Sequence, residues 1–164
     1  MVRTSEKEQK WKADITKRFE VLKKEGWVQG GYMINHAQVA MQNLKAGALI
    51  YPTEFYEIDY IGGTKAMLGG AVPITTDFAA LKDKIGKYGR LIHSKRTIDD
   101  WADIEGQSYG IRDEATKLEF VINLVNYLLN PERFEEMREK MQKHARETYN
   151  WEKTINKWDE QLKA

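Results

Sequence analysis

Cysteine is absent from the 164 residues. That excludes disulfides and thiolate metal sites and fits a reducing compartment. No apolar run approaches the ~20 residues of a membrane span, and the polar N-terminus does not read as a signal peptide. An excess of one charge is missing too. Lys and Arg number 26 against 25 Asp and Glu, a net charge of +1, so no bulk field favours nucleic acid or an acidic membrane. Histidine is scarce: His36, His93 and His144 stand apart, and no pair has metal-ligand spacing. No metal site is expected. There is no internal repeat and no low-complexity tract. By length the chain is one domain, residues 1–164, with enough residues for a real core.

What is present centres on Ala46 to Asp77, AGALIYPTEFYEIDYIGGTKAMLGGAVPITTD. Ala46 to Tyr51 is an apolar run without helical polar spacing, as for a strand covered on both faces. Pro52 and Thr53 end it, and Glu54 to Glu57 form a charged crest. Ile58 to Leu68 is long enough for about three helical turns. Gly69 and Gly70 supply a left-handed stop, and Ala71 to Thr76 re-enters the sheet. The pattern is a βαβ unit. Its loop lies at the carboxyl end of a strand, where open α/β sheets bind ligands, and its helix points its positive end there.

Around this unit the chain reads as helix-rich. Ser5 and Glu8 suggest a capping box. Trp11, Ile15, Phe19 and Leu22 form one helical face that stops at Gly26. Trp27 to Tyr32 suggests a short strand. Asn35 is a candidate N-cap for a helix with Ala37, Ala40, Met41 and Leu44 on one side. Phe78 to Ile85 predicts a short helix and Leu91-Ile92 a brief strand. In Thr97 to Gly110, the residues Asp99, Asp100, Asp103 and Glu105 make an acidic patch without the calcium-loop pattern, read as a solvated face.

The rest is helical. Val121, Leu124, Val125 and Leu128 form a stripe that Asn130 and Pro131 break. Phe134, Met137, Met141 and Ala145 share the next face. Asn150 is a candidate cap for a last helix bearing Trp151, Ile155, Trp158 and Leu162, a face expected to pack on its own sheet or on a missing neighbour. Residues 1–110 thus read as an α/β core and 111–164 as C-terminal helices.

The central stretch resembles the C-terminal, donor-binding half of retaining glycosyltransferases of the GT-B type, group 1 or family 4-like, as in the glycogen-synthase and sucrose-synthase-like family. The match runs through Tyr51-Pro52-Thr53, Glu57, Ala66-Met67, Gly69-Gly70, Val72-Pro73-Ile74 and Asp77. Several linked elements in order say more than a lone glycine motif. With its Trp-containing last helix the resemblance spans roughly Val21 to Ala164. It implies a Rossmann-like parallel sheet flanked by helices, lacking its first strands, with a helical tail. Lys65 stands where the family has a second glutamate, and Ile58 and Tyr60 where it has glycines.

The resemblance also implies roles. Glu57 would orient a donor-sugar hydroxyl, and Glu57, Ile58, Asp59, Tyr60 and Ile61 would line the sugar and diphosphate. Lys65 falls at the ribose position; a Lys cannot accept hydrogen bonds as a carboxylate does, so it either contacts a phosphate or is a solvated helix residue. Gly31, Tyr32 and Met33 would neighbour the base, or Tyr32 and Met33 pack in the core. Asp59 is expected to cap the helix. The implied function is the donor-binding part of a hexosyltransferase using a nucleoside-diphosphate sugar, with a glycan or other acceptor.

The family's opening strand, glycine turn and basic pair are missing from this sequence, as is its N-terminal half. The chain is therefore expected to be inactive alone and to pair with that half or with itself through an exposed edge. The alternative is a degenerate, non-catalytic module with a structural or partner-binding role. No cofactor, metal or nucleic-acid partner is implied. The expected location is cytoplasmic, with attachment to a membrane surface left open. The carboxylates Glu54 and Glu57 also invite a glycosidase reading, but nothing else supports hydrolysis.

Overall fold

The computed structural model describes residues 6–30, 34–97, 111 and 113–163. They fall in two compact units, Met1–Asn35 and His36–Ala164. No helix among the described residues is long and apolar enough to cross a membrane.

The first unit contains α1, Glu6–Lys24. Gly26 takes φ +82°. Its N–H donates to the Lys23 carbonyl at 3.1 Å, and the Trp27 N–H to the Leu22 carbonyl at 2.9 Å. This pair of bonds is a Schellman stop, which needs the left-handed residue that glycine supplies. The strand expected from Trp27 is not formed over 27–30. Trp27 is exposed and Gly30 sits at φ +117°, outside the extended region. Ser5, Gly31, Tyr32 and Met33 lie outside the described residues.

The second unit begins with α2, His36–Lys45, followed by β1, Ala48–Tyr51, α3, Ile61–Gly69, and β2, Val72–Thr76. Then come α4, Ala80–Ile85, a 3-10 turn over Gly86–Tyr88, and β3, Arg90–Ile92. The three strands are parallel in the order β1-β2-β3, with Ile50 beside Ile74 and Thr76 beside Ile92. The class is α/β, with a small parallel sheet flanked by helices. β2 is central, and all its residues are buried, which is why it reads as a continuous apolar-and-threonine run rather than an alternation.

Helix α3 sits tightly in the unit at two glycines. Gly70, at φ +88°, ends it, with backbone N–H bonds back to α3 carbonyls. At Gly69 a Cβ would lie 2.8 Å from the Asn43 backbone carbon, so the missing side chain lets α2 and α3 approach closely.

Among the described residues three further helices follow: α5, Glu114–Leu129; α6, Glu135–Thr148, entered through a 3-10 turn at Pro131–Phe134; and α7, Trp151–Lys163. Phe134, Met141 and Ala145 are buried and Met137 packs against the core, as their spacing predicts. The stripe on α5 is a different matter. Val121, Val125 and Leu128 are exposed, while Thr116, Phe120 and Tyr127 face inward with Leu124 beside them.

The aromatic side of α5 wins for a physical reason. Phe120 and Tyr127 bury more area than the aliphatics. The Tyr127 hydroxyl also donates to the Gly47 carbonyl at 2.5 Å, and its ring centroid lies 4.7 Å from that of Phe134.

Asn150 caps α7 as expected, its Oδ1 accepting from the Glu152 N–H at 2.9 Å and the Lys153 N–H at 3.3 Å. Yet no residue of α7 is buried. Trp151, Ile155, Trp158 and Leu162 stay exposed, so this face does not pack on the sheet.

Candidate functional site

Three loops leave the carboxyl ends of the parallel strands, the edge where such sheets carry ligand sites. The β1 loop is pinned by its neighbour strand. Thr75 Oγ1 donates to the Tyr51 carbonyl at 3.0 Å and Thr76 Oγ1 to the Thr53 carbonyl at 2.5 Å. Thr53 Oγ1 in turn accepts the Phe55 N–H at 3.1 Å, and the Glu57 carbonyl accepts the Ala80 N–H at 3.2 Å. Two buried threonines therefore fix where Glu54 and Glu57 leave the chain.

Those two glutamates end in different places. Glu54 is 4 % exposed and accepts from Ser94 Oγ at 2.8 Å. Ser94 also donates its backbone N–H to Asp77 Oδ1 at 2.7 Å, while Asp77 Oδ2 lies 2.9 Å from His93 Nδ1. The three loop ends are thereby joined. Glu57 instead lines a cavity, its Oε1 accepting from the Tyr51 hydroxyl at 2.7 Å. Burial first, then that bond to Glu57, pushes the Tyr51 phenol above its ordinary value.

The cavity measures about 350 Å³ and lies against the first turn of α3. Glu57, Tyr60, Ile61, Gly62 and Lys65 line it together with Tyr51 and, from α2, Val39 and Asn43. An apolar recess of about 850 Å³ between α2, α3 and Trp151 shares Asn43 and Lys65 with it. Tyr60 is the residue before α3 and takes φ +55°. Its carbonyl accepts the N–H groups of Gly63 and Thr64, and its side chain makes no cap bond. The Tyr60 ring stacks on Tyr51, with centroids 4.9 Å apart and planes at 11°. It also lies on Gly63, where a Cβ would collide with it. Burial raises the Tyr60 phenol strongly, with Tyr51 and Glu57 adding to the effect.

Of the residues expected at the donor site, Glu57, Tyr60, Ile61 and Lys65 share this cavity. Ile58 and Asp59 do not; they line a separate recess beside Ala80, Asp83, Lys84 and Tyr149. Ile58 is 87 % exposed. Asp59 does not cap α3: the N-cap position is Tyr60, and the Asp59 carboxylate pairs with Lys84 Nζ at 2.6 Å. Lys84 also lies 4.5 Å from the centre of the Tyr149 ring, which fixes it toward Asp59.

Gly31, Tyr32 and Met33, and the acidic patch of Asp99, Asp100, Asp103 and Glu105, lie outside the described residues. Sequence reasoning missed the Glu54–Ser94 bond and the Tyr51–Tyr60 stack. The first carries no local signal at a separation of 40 residues. The second follows from the left-handed turn at Tyr60, a conformation that a tyrosine does not advertise.

No protein-family model matches the chain, nor does any curated protein or solved structure. The functional reading therefore stands on the site. Among the described residues, no group of three or more His, Cys, Asp or Glu is placed to hold a metal ion. From the described residues the cavity receives one carboxylate acceptor, the start of a helix and one lysine. That combination suits a ligand with hydroxyls at one end and an anion at the other.

Proposed function

We propose that this chain is the donor-binding part of a glycosyltransferase that takes a hexose from a nucleoside-diphosphate sugar. Its finer fold in this reading is the C-terminal half of a GT-B enzyme. The observation that carries it is the placing of Glu57, held by Tyr51, in the same cavity as the first turn of α3 and Lys65. Glu57 accepts a sugar hydroxyl. The N–H groups of Ile61 and Gly62, at helix positions without an intrahelical acceptor, and Lys65 face the diphosphate.

Stabilising a departing diphosphate is what sugar transfer requires of such a site. A helix N-terminus contributes about 0.3–1 kcal/mol to a nearby anion, up to ~2 when partly buried. Lys65 adds a point charge. Together these support binding of the donor. Transfer needs acceptor-side groups in addition.

The test is calorimetric titration of the chain with UDP, GDP and ADP and their hexose conjugates. Saturable binding of one nucleotide is expected, with Glu57→Ala weakening the conjugate alone. No binding at millimolar ligand overturns the reading.

A second reading, a non-catalytic glycosyltransferase-like module that associates with a protein, is favoured by the exposed apolar face of α7. An exposed apolar stripe of this kind is the form in which helices enter partner grooves. It predicts self-association or a bound partner without nucleotide binding, and a monomer by light scattering counts against the first of these.

A further inference from the structure

The 3-10 turn before β3 and helix α6 border a cavity of about 560 Å³ that shares no lining residue with the one Glu57 lines. Lys87 and Tyr88 precede β3, so this cavity lies toward the amino ends of the parallel strands, away from the loops that carry Glu54 and Glu57. Its half-buried lining residues are Tyr88, Met137 and His144. Tyr88 and Met137 pack against the core, and the His144 ring stacks on Tyr88 with centroids 4.4 Å apart and planes at 23°. The floor is therefore anchored.

Positive charge reaches this floor from three segments. Lys87 comes from the turn before β3, Arg133 from the turn before α6, and Lys140 and Lys143 from α6 itself. Lys87 Nζ lies 5.4 Å from the centre of the Tyr88 ring. Two carboxylates also border the cavity. Glu136 is neutralised by Lys140 at 2.6 Å. Glu147 stands against Lys87, Arg133 and Lys143, none of which is in an ion pair among the described residues. Three such cations against one carboxylate leave a local excess, in a chain whose whole net charge is only +1. Like charges held around one concave space repel, and an anion bound there relieves the repulsion.

We propose that this cavity binds a small molecule carrying two or more phosphate groups. The volume falls in the range of small-molecule sites, about 300–1,000 Å³, and exceeds what a single phosphate fills. Arg133 brings a planar fork suited to phosphate oxygens, and Lys87 and Lys143 bring point charges. Nothing in this inference depends on the donor-site reading.

Calorimetric titration with inorganic pyrophosphate and with a hexose bisphosphate tests it. Saturable binding of at least one probe is expected, and the tighter of the two tells whether the site prefers an inorganic or an esterified phosphate. The double variant Arg133→Ala, Lys143→Ala is expected to lose about two- to 25-fold in affinity, two exposed charge contacts acting independently. Neither side chain holds an ion pair, so its urea midpoint should match the parent's. Lys65→Ala, in the other cavity, is expected to leave the affinity unchanged. The parent's affinity should fall as salt is added. No saturable binding of either probe at millimolar concentration overturns the proposal. So does a loss that follows Lys65→Ala and spares the double variant, since the phosphates would then sit beside Glu57. A tetraglutamate peptide binding as tightly as the better phosphate probe overturns it as well, because the cavity would then attract any anion.

Discussion

Ser94 Oγ donates to Glu54 Oε1 at 2.8 Å, joining the loop after β3 to the loop after β1. The same serine oxygen accepts the Arg96 N–H at 3.1 Å. Glu54 is 4 % exposed, and no lysine or arginine pairs with it among the described residues. A buried carboxylate depends on such hydrogen bonds far more than an exposed one does. Ser94→Ala is therefore expected to lower stability by about 1–3 kcal/mol, the cost of leaving a buried polar group unsatisfied. Urea unfolding reads this as a lower midpoint at unchanged slope. An unchanged midpoint would mean that water reaches Glu54 in solution.

Much of the framework was legible because it is written locally. Ala48–Tyr51 and Val72–Thr76 fall inside the strands expected from the apolar runs, and Gly70 stops α3 where two glycines announced it. The start of α3 was not legible. It begins at Ile61 rather than Ile58, because Tyr60 turns left-handed and Lys84 draws Asp59 away. The inward side of α5 was hidden for a related reason. Its aliphatic stripe has good helical spacing, but the Tyr127 bond to Gly47 spans 80 residues and rotates the aromatic side inward. Local periodicity finds a helix; a distant partner decides which side is buried.

Met141 and Trp158 test how the helical tail is divided. Met141 on α6 is fully buried, while Trp158 on α7 is exposed. Met141→Ala is expected to cost about 2–5 kcal/mol through lost contacts and a cavity. Trp158→Ala is expected to stay within about 0.5 kcal/mol, as surface changes do. Both are read from urea midpoints on dilute protein. A large loss for Trp158→Ala that grows with protein concentration would show that α7 is covered by another copy of the chain.

Asp113 sets an acid limit on α5. It is the N-cap, accepting from the Thr116 N–H at 2.8 Å, the Thr116 hydroxyl at 2.9 Å and Lys95 Nζ at 3.0 Å. The Thr116 N–H foremost, then Lys95, holds its carboxyl down to about 2, against an ordinary 3.8. Because the folded value is the lower one, the unfolded chain takes up the proton first. The stabilisation is complete above 3.8 and is lost as pH falls through about 2. The stability gap between the parent and Asp113→Ala should thus be level at neutral pH and narrow across that acid window. Urea unfolding at a series of pH values measures it, and a gap that ignores pH would refute the assignment.

Lys65 separates the two ends of the proposed ligand. It is exposed on α3 and borders both the cavity with Glu57 and the apolar recess beside α2. A lysine there acts as a solvated point charge, worth about 0.2–1 kcal/mol to an anion in an exposed pair. Lys65→Ala is therefore expected to weaken a nucleoside diphosphate and its hexose conjugate by the same factor, about 1.5- to fivefold. The loss should be larger at low ionic strength, where screening is weaker. Glu57→Ala should behave in the opposite sense, sparing the nucleotide and weakening the conjugate. A loss confined to the conjugate would place Lys65 on the sugar. No loss at any salt concentration would make it a solvated helix residue and leave the helix start alone to hold the phosphates.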